Sequence, residues 1–98
     1  MSDLRFEWDP RKAAENLRKH GVTFEEARSA FADERGLLLD DPQHSAEEER
    51  FILLGLSATL RLLVVAHCYR QRDGVIRIIT ARKATRTERR TYTQRWSI

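Results

Sequence analysis

The chain has 98 residues, of which 41% are hydrophobic and 34% are charged, and its formal net charge is +3. This composition excludes a disordered chain, and no stretch of ~18 uncharged apolar residues is present that could cross a membrane. We therefore expect one soluble domain over residues 1–98, with a single modest core.

The first predicted element is a short helix in DPRKAAENLRKHG. Asp9 is placed to cap it, Pro10 stands at the first helical position, and Gly21 stands where a helix ends in the left-handed conformation. The helix is predicted over about residues 10–20. It can be preceded by a short strand in RFEW.

A second helix is predicted in VTFEEARSAFAD, over about residues 24–32. Thr23 and Glu26 have the spacing of a capping box. One face carries apolar residues at helical spacing, which we expect in the core: Phe24, Ala27 and Phe31.

Four strands are predicted after Gly36, in GLLLDDP, ERFILLGLS, RLLVVAHCY and GVIRIITAR. The Asp73–Gly74 pair is typical of a hairpin turn, so we expect a mainly antiparallel sheet. The last two strands are apolar on both faces near their centres, which predicts that both faces are covered. Gly55 interrupts its strand and predicts a bulge or a bend.

The last predicted element is a helix that begins at a second capping box, formed by Thr85 and Glu88, and continues to about Trp96. The order of elements is helix, helix, four strands, helix. We therefore predict an α+β fold with two N-terminal helices, a four-stranded mainly antiparallel sheet and a C-terminal helix.

Charge is unevenly distributed along the chain. From Arg61 onward there are ten lysines and arginines against two acids, whereas Asp33 to Glu49 holds seven acids and one arginine. The basic C-terminal third is typical of a surface for a polyanion or an acidic partner. It is equally compatible with a solvated helix.

The compartment is predicted from two features. The N-terminal residues MSDLRFEWDP lack the apolar run of a secretory signal, and Cys68 has no second cysteine with which to form an internal disulfide. Both predict a cytoplasmic protein.

Three blocks in this order carry a likeness to a known family: FEWDPRKAAENLRKHGVTFEEARSAF, EEERFILLGLS and IRIITARKATRTERRTY. Together they resemble BrnT toxins of bacterial type II toxin–antitoxin pairs, with Thr80 where such sequences more often show Ser. The resemblance implies a RelE-like fold and a metal-independent endoribonuclease that stops translation. It also implies a BrnA-like antitoxin, whose ribbon-helix-helix part binds operator DNA so that the pair represses its own operon.

Cleavage of RNA without a metal needs a base, a fixed cation and an acid around the ribose–phosphate link. Arginine suits the cationic role because its planar fork pairs with phosphate oxygens and keeps its charge. Arg77 interrupts an apolar strand, and Arg82 lies where that strand meets the last helix. Arg77 can instead have a structural role, as the salt-bridge partner of Glu88.

Three further catalytic candidates each have a structural alternative. Glu88 can act as a general base or as an orienting group, but it also caps the helix. Tyr92 can donate a proton, stack on a nucleobase or pack in the core. His20 offers imidazole chemistry but also suits the end of a helix. The predicted RNA-binding residues are Arg50, Lys83, Arg86 and Arg89.

The remaining histidines and the cysteine are expected to be structural or solvated. His67 fits a hydrogen-bonded core position, His44 a solvated acidic loop, and Cys68 a core position rather than a nucleophile. His67 and Cys68 face opposite sides of a strand and cannot share an ion, so no metal or other cofactor is predicted.

Two functions remain open at this stage. The first is an endoribonuclease toxin that is neutralised by its antitoxin; the alternative is an inactive homologue that serves only as an antitoxin-binding co-repressor. Direct DNA binding is disfavoured because the second helix and its approaches are acidic.

Overall fold

A computed structural model of the chain describes residues 4–46, 48–70 and 74–95. Its centre is one sheet with the strand order β1-β5-β4-β3-β2. The strands are β1 (Arg5–Glu7), β2 (Leu37–Asp40), β3 (Arg50–Leu56), β4 (Leu62–Arg70) and β5 (Val75–Lys83). β1 runs parallel to β5, and the other neighbours are antiparallel. The α+β class is confirmed, but the four-stranded prediction is wrong because RFE adds a fifth, parallel strand.

The helices are α1 (Pro10–His20), α2 (Phe24–Ser29) and α3 (Arg86–Gln94). The N-caps are those predicted, since the side chains of Asp9, Thr23 and Thr85 accept hydrogen bonds from backbone N–H groups of the first turn. The capping box of Thr85 and Glu88 is complete, whereas Glu26 bonds to Arg61 instead of closing the one predicted with Thr23. α2 is shorter than predicted, since Ala30–Ala32 forms a 3₁₀ turn. Trp96, the predicted end of α3, lies outside the described residues. None of the described helices is long and apolar enough to cross a membrane.

α1 and α2 pack against one side of the sheet, which we call the helical face. Its core joins buried residues of α2 and its flanking segments to residues of the three central strands: Val22, Phe24, Ala27, Ala30, Leu53, Leu63, Val65, Ile78 and Ala81. Gly55 belongs to this packing, because an added Cβ would lie 3.0 Å from the carbonyl oxygen of Ala30. Gly55 pairs with Leu63 in regular register, so the predicted bulge there is wrong.

Asn16 of α1 completes the hydrogen bonding of β5. β1 pairs only with Val75–Arg77, so the second half of β5 has no strand neighbour on that side within the described chain. Asn16 Nδ2 donates to the carbonyl oxygen of Ala81 at 2.8 Å and of Val22 at 3.0 Å, and its Oδ1 accepts from the Ala81 N–H at 3.1 Å. The side chain thus takes the place of a missing strand.

The opposite side of the sheet, which we call the open face, is packed against a helix at one end. There α3 packs through Tyr92 against Leu54, Leu62 and Val64. Farther along β5, Thr80 is exposed and Arg77 is half-buried. The prediction that both faces are covered is therefore confirmed for β4, whose Val64 and Cys68 are buried on this side, and wrong for β5 at Arg77 and Thr80.

A β-bulge places Arg77 and Arg82 on the same face. Cys68 and His67 pair with Arg77 and Ile78, whereas Ala66 pairs with Thr80, so Ile79 is an extra residue in β5. In a regular strand, residues five apart point to opposite faces. The extra residue restores both arginines to the open face. The Asp73 position of the predicted hairpin lies outside the described residues, but the antiparallel pairing of β4 with β5 is confirmed.

Candidate functional site

The open face is arranged in rows of directly opposed residues from β3, β4 and β5. The rows are Arg50–Cys68–Arg77, Ile52–Ala66–Thr80 and Leu54–Val64–Arg82. Because neighbouring strands lie ~4.8 Å apart, the backbones at Arg50 and Arg77 are roughly 10 Å apart. Arginines thus stand at three corners of a patch whose floor is small or apolar.

A hollow of about 250 Å³ opens on this patch, and we call it the arginine hollow. Its lining residues are Asp41, His44, Arg50, Ile52, Val64, Ala66, Thr80 and Arg82. A second hollow of about 570 Å³ adjoins it, since both are lined by His44 and Arg50. Charged groups therefore surround an apolar floor.

Arg82 is held by Glu88. Two guanidinium nitrogens donate to the two carboxylate oxygens at 2.8 Å each, and Glu88 also accepts from the Thr85 N–H at 2.8 Å. The bonds from Arg82 lower the pKa of Glu88 to about 2, which makes this carboxylate a poor proton acceptor near neutrality. The structural partner of Glu88 is thus Arg82, and the alternative reading of Arg77 as that partner is wrong.

Arg50 and Arg77 form no ion pair within the described part of the chain. Cys68 lies between them and is buried. Burial, and then a hydrogen bond to Glu48, raise the pKa of the Cys68 thiol, while the two guanidinium groups act in the opposite direction. The thiol therefore stays protonated, which agrees with its predicted structural role.

His44 and Asp41 form a pair at the edge of the arginine hollow. Nδ1 of His44 lies 3.1 Å from each carboxylate oxygen of Asp41. The Asp41 side chain is 12% exposed and that of His44 61%. His44 is thus a lining residue as well as a solvated one, and Asp41 is a site residue that was not predicted from the sequence. Their i, i+3 spacing across Pro42, which puts both side chains on one side of a helical turn, is the signal that could have found them.

Backbone and hydroxyl bonds tie this pair to the start of β3. The Asp41 N–H donates to the Arg50 carbonyl at 3.0 Å, the Arg50 N–H donates to Ser45 Oγ at 2.9 Å, and Ser45 Oγ donates to the Asp41 carbonyl at 2.7 Å. This closed ring keeps the 3₁₀ turn Pro42–His44 beside Arg50.

Of the five predicted catalytic residues, only Arg82 lines the arginine hollow. Arg77 and Glu88 lie beside it, and Tyr92 and His20 have other surroundings. The Tyr92 hydroxyl donates to Asp33 Oδ2 at 2.7 Å, and the same oxygen accepts from the Leu56 N–H at 2.8 Å. Burial, and then the bond to Asp33, raise the pKa of Tyr92 to about 12. His20 lies in a separate groove between α1 and β5, which shares only Thr80 with the hollow.

The other predicted RNA-binding residues lie beyond the hollow. Lys83 ends β5, and Arg86 and Arg89 are on α3; all three are exposed. They extend the positive surface from Arg82 along the terminal helix.

His67 is a core residue, as expected. It is fully buried on the helical face, and Nδ1 lies 3.1 Å from the Val65 carbonyl oxygen. Its ring contacts Phe31 and Tyr69 edge-on. Burial lowers its pKa, so the neutral form is favoured.

No group of three or more histidines, cysteines and acids is arranged to hold a metal ion within the described residues. The metal-independent mechanism stays a prediction.

Comparison with known proteins identifies the family. A family model described as the ribonuclease toxin BrnT of type II toxin–antitoxin systems matches residues 8–88, which include the whole lining of the hollow. No curated protein matches the sequence significantly.

Among solved structures, the crystal structure of the Brucella abortus ribonuclease toxin BrnT is similar, with a TM-score of 0.65 and 19% sequence identity. The match covers 86% of this chain and 100% of that chain. At this identity it establishes the fold alone. The family model, in contrast, spans most of the sequence, and the chain therefore belongs to the BrnT family of ribonuclease toxins of type II toxin–antitoxin systems.

Proposed function

We propose that this protein is a metal-independent endoribonuclease that cleaves RNA in the cytoplasm and thereby inhibits translation. The observation that carries the proposal is the arginine hollow, in which Arg50 and Arg82 flank an apolar floor beside the Asp41–His44 pair. The family assignment supports a toxin of the ribonuclease type.

The arginines suit a negatively charged, crowded transition state. Arg82 is oriented by Glu88, and a guanidinium group has five donors, so N–H groups remain for a phosphate. Arg50 and Arg77 have no carboxylate partner among the described residues and are available to phosphate oxygens. The three cations thus supply the fixed positive charge that cleavage through the 2′-hydroxyl requires.

The remaining sequence-based candidates take supporting roles in this proposal. Glu88 holds Arg82, and Tyr92 anchors α3 to the sheet through Asp33. Lys83, Arg86 and Arg89 bind the RNA backbone on either side of the cleaved link.

A toxin of a type II system has an antitoxin partner. We propose a BrnA-like antitoxin with a ribbon-helix-helix part, which contacts operator DNA and through which the pair represses its operon. A segment of this partner would place acidic side chains over the arginine hollow, where they would replace the phosphates of RNA.

The test is RNA cleavage by the purified protein, freed of antitoxin, in excess EDTA. Replacing Arg50 with alanine should lower the cleavage rate by about 10²–10³-fold, as removal of one charge-stabilising donor does in other enzymes. Arg77→Ala and Arg82→Ala should also lower it. Arg18→Ala, which removes an exposed arginine of α1, is the matched control. Full activity of all three arginine variants, or a requirement for added Mg²⁺ after EDTA, would contradict the proposal.

The bidentate Arg82–Glu88 pair favours a second candidate, because one of the three cations is already neutralised. In that case the protein is an inactive homologue that binds antitoxin as a co-repressor. Induced expression separates the two: an active toxin arrests growth and the antitoxin reverses the arrest, whereas the co-repressor leaves growth unchanged and still tightens antitoxin binding to its operator.

A further inference from the structure

The Asp41–His44 pair contains a group that can transfer a proton, which the arginines cannot do. A carboxylate can only accept a hydrogen bond, so Nδ1 of His44, 3.1 Å from both oxygens of Asp41, must carry hydrogen. In the neutral imidazole this leaves the lone pair on Nε2. The carboxylate therefore sets the tautomer in which Nε2 can accept a proton.

Three carboxylates that the structure describes beside the arginine hollow each have another partner. Asp41 accepts from His44, Glu48 is hydrogen-bonded to the Cys68 thiol, and Glu88 is engaged by Arg82. Cys68 is buried and protonated, and Thr80 is a poor base. Among the described lining residues, Nε2 of His44 is the basic atom left available.

The position of His44 is also restrained. Ser45 and the Arg50 backbone close a ring of hydrogen bonds around the 3₁₀ turn, so the imidazole and the Arg50 guanidinium line the hollow from one hydrogen-bonded segment. A phosphate bound by Arg50 would therefore meet the imidazole at a fixed place, which is the arrangement that general base catalysis requires.

We propose that His44 is the general base of RNA cleavage and that Asp41 is its positioning residue; this rests on the proposed function. Nε2 takes the proton of the ribose 2′-hydroxyl while O2′ forms its bond to phosphorus. The bond from phosphorus to O5′ breaks, and its electron pair goes to O5′, which takes a proton from water. The hydroxide left by that water takes the proton back from the His44 imidazolium, which regenerates the base. The products are a 2′,3′-cyclic phosphate and a 5′-hydroxyl.

The test uses the whole protein and an oligoribonucleotide that carries a site mapped with the wild-type protein. His44→Ala should lower the single-turnover rate by about 10²–10⁴-fold, the range for loss of a general base. Binding of the same oligonucleotide with a 2′-deoxy residue at the cleaved link, which cannot react, should stay unchanged. Because the His44 side chain is 61% exposed, the variant should fold, and its circular dichroism and thermal midpoint check this.

Added imidazole distinguishes a chemical role from a structural one. It should restore a substantial part of the rate to His44→Ala, since it supplies the missing base, but should not restore Asp41→Asn, in which the histidine still fills the site. Gln43→Ala, an exposed neighbour in the same turn, is the matched control and should keep the wild-type rate.

The outcomes separate the two proposals. If the wild-type protein cleaves RNA and His44→Ala cleaves it equally fast, His44 is not the general base, but the proposed nuclease function stands. The same conclusion follows if folded, RNA-binding His44→Ala is inactive and imidazole has no effect on it. A wild-type protein that cleaves no RNA overturns the proposed function and this inference together.

Discussion

Replacing Asn16 with alanine should destabilise the protein more than its polar character suggests. The side chain is 5% exposed, and three hydrogen bonds join it to Val22 and to both backbone groups of Ala81. Alanine cannot make these bonds, and the pairing of β1 with β5 ends at Arg77, too early to replace them.

The expected loss follows from the number of bonds. Three hydrogen bonds at about 1 kcal/mol each give a reduction of about 3 kcal/mol in the free energy of unfolding, and more if water cannot reach the freed backbone groups. For a domain of this size, that corresponds to a fall of roughly 12–24 °C in the thermal midpoint.

Urea denaturation measures the change in free energy, and hydrogen exchange of the Ala81 amide measures the local effect. Lys12→Ala, an exposed substitution on the same helix, is the control and should stay within about 0.5 kcal/mol of the wild type. If Asn16→Ala lost less than about 0.5 kcal/mol and the Ala81 amide stayed protected, the proposed role of Asn16 as a substitute for a strand would be refuted.

Three further predictions concern stability. Side-chain hydrogen bonds, from Arg61 to Glu26 and from Arg82 to Glu88, lower the pKa of each carboxylate from 4.5 to about 2. The stabilisation by these two pairs is therefore complete above the ordinary carboxylate pKa of 4.5 and is lost as the pH falls towards 2. The urea midpoint should drop between pH 5 and 2, and the drop should be smaller in Glu26→Gln. A urea midpoint that does not change with pH would show that the pairs do not stabilise the fold. Tyr92→Phe removes the bond to Asp33 and should lower the free energy of unfolding by about 1–2 kcal/mol, whereas an unchanged thermal midpoint would mean that this bond does not hold α3. Gly55→Ala should cost about 1–3 kcal/mol, because its Cβ would meet a backbone oxygen at 3.0 Å; a neutral result would show that the 3₁₀ turn can move away.

Local signals predicted most of the secondary structure. The caps at Asp9, Thr23 and Thr85 depend on hydrogen bonds between residues two or three apart, so the sequence alone contains both partners. The bounds of α1 are correct for this reason. The same kind of signal, Asp41 three residues before His44, is present in the acidic loop.

Pairing between distant residues decided the site. Arg77 and Arg82 were candidates by residue type alone, and only the extra residue Ile79 in β5 turns both to the open face. Arg82 rather than Arg77 pairs with Glu88, because Arg82 lies at the end of β5 beside the first turn of α3.

The sequence by itself determined the helices, the strands and the kinds of charge near the C-terminus, because caps and periodicity act over a few residues. The tertiary structure decided which charges share a hollow, that His44 stands among them, and that His20 and Tyr92 do not. Strand register and sheet order bring together residues that are far apart in the chain, and their choice depends on how the whole core packs.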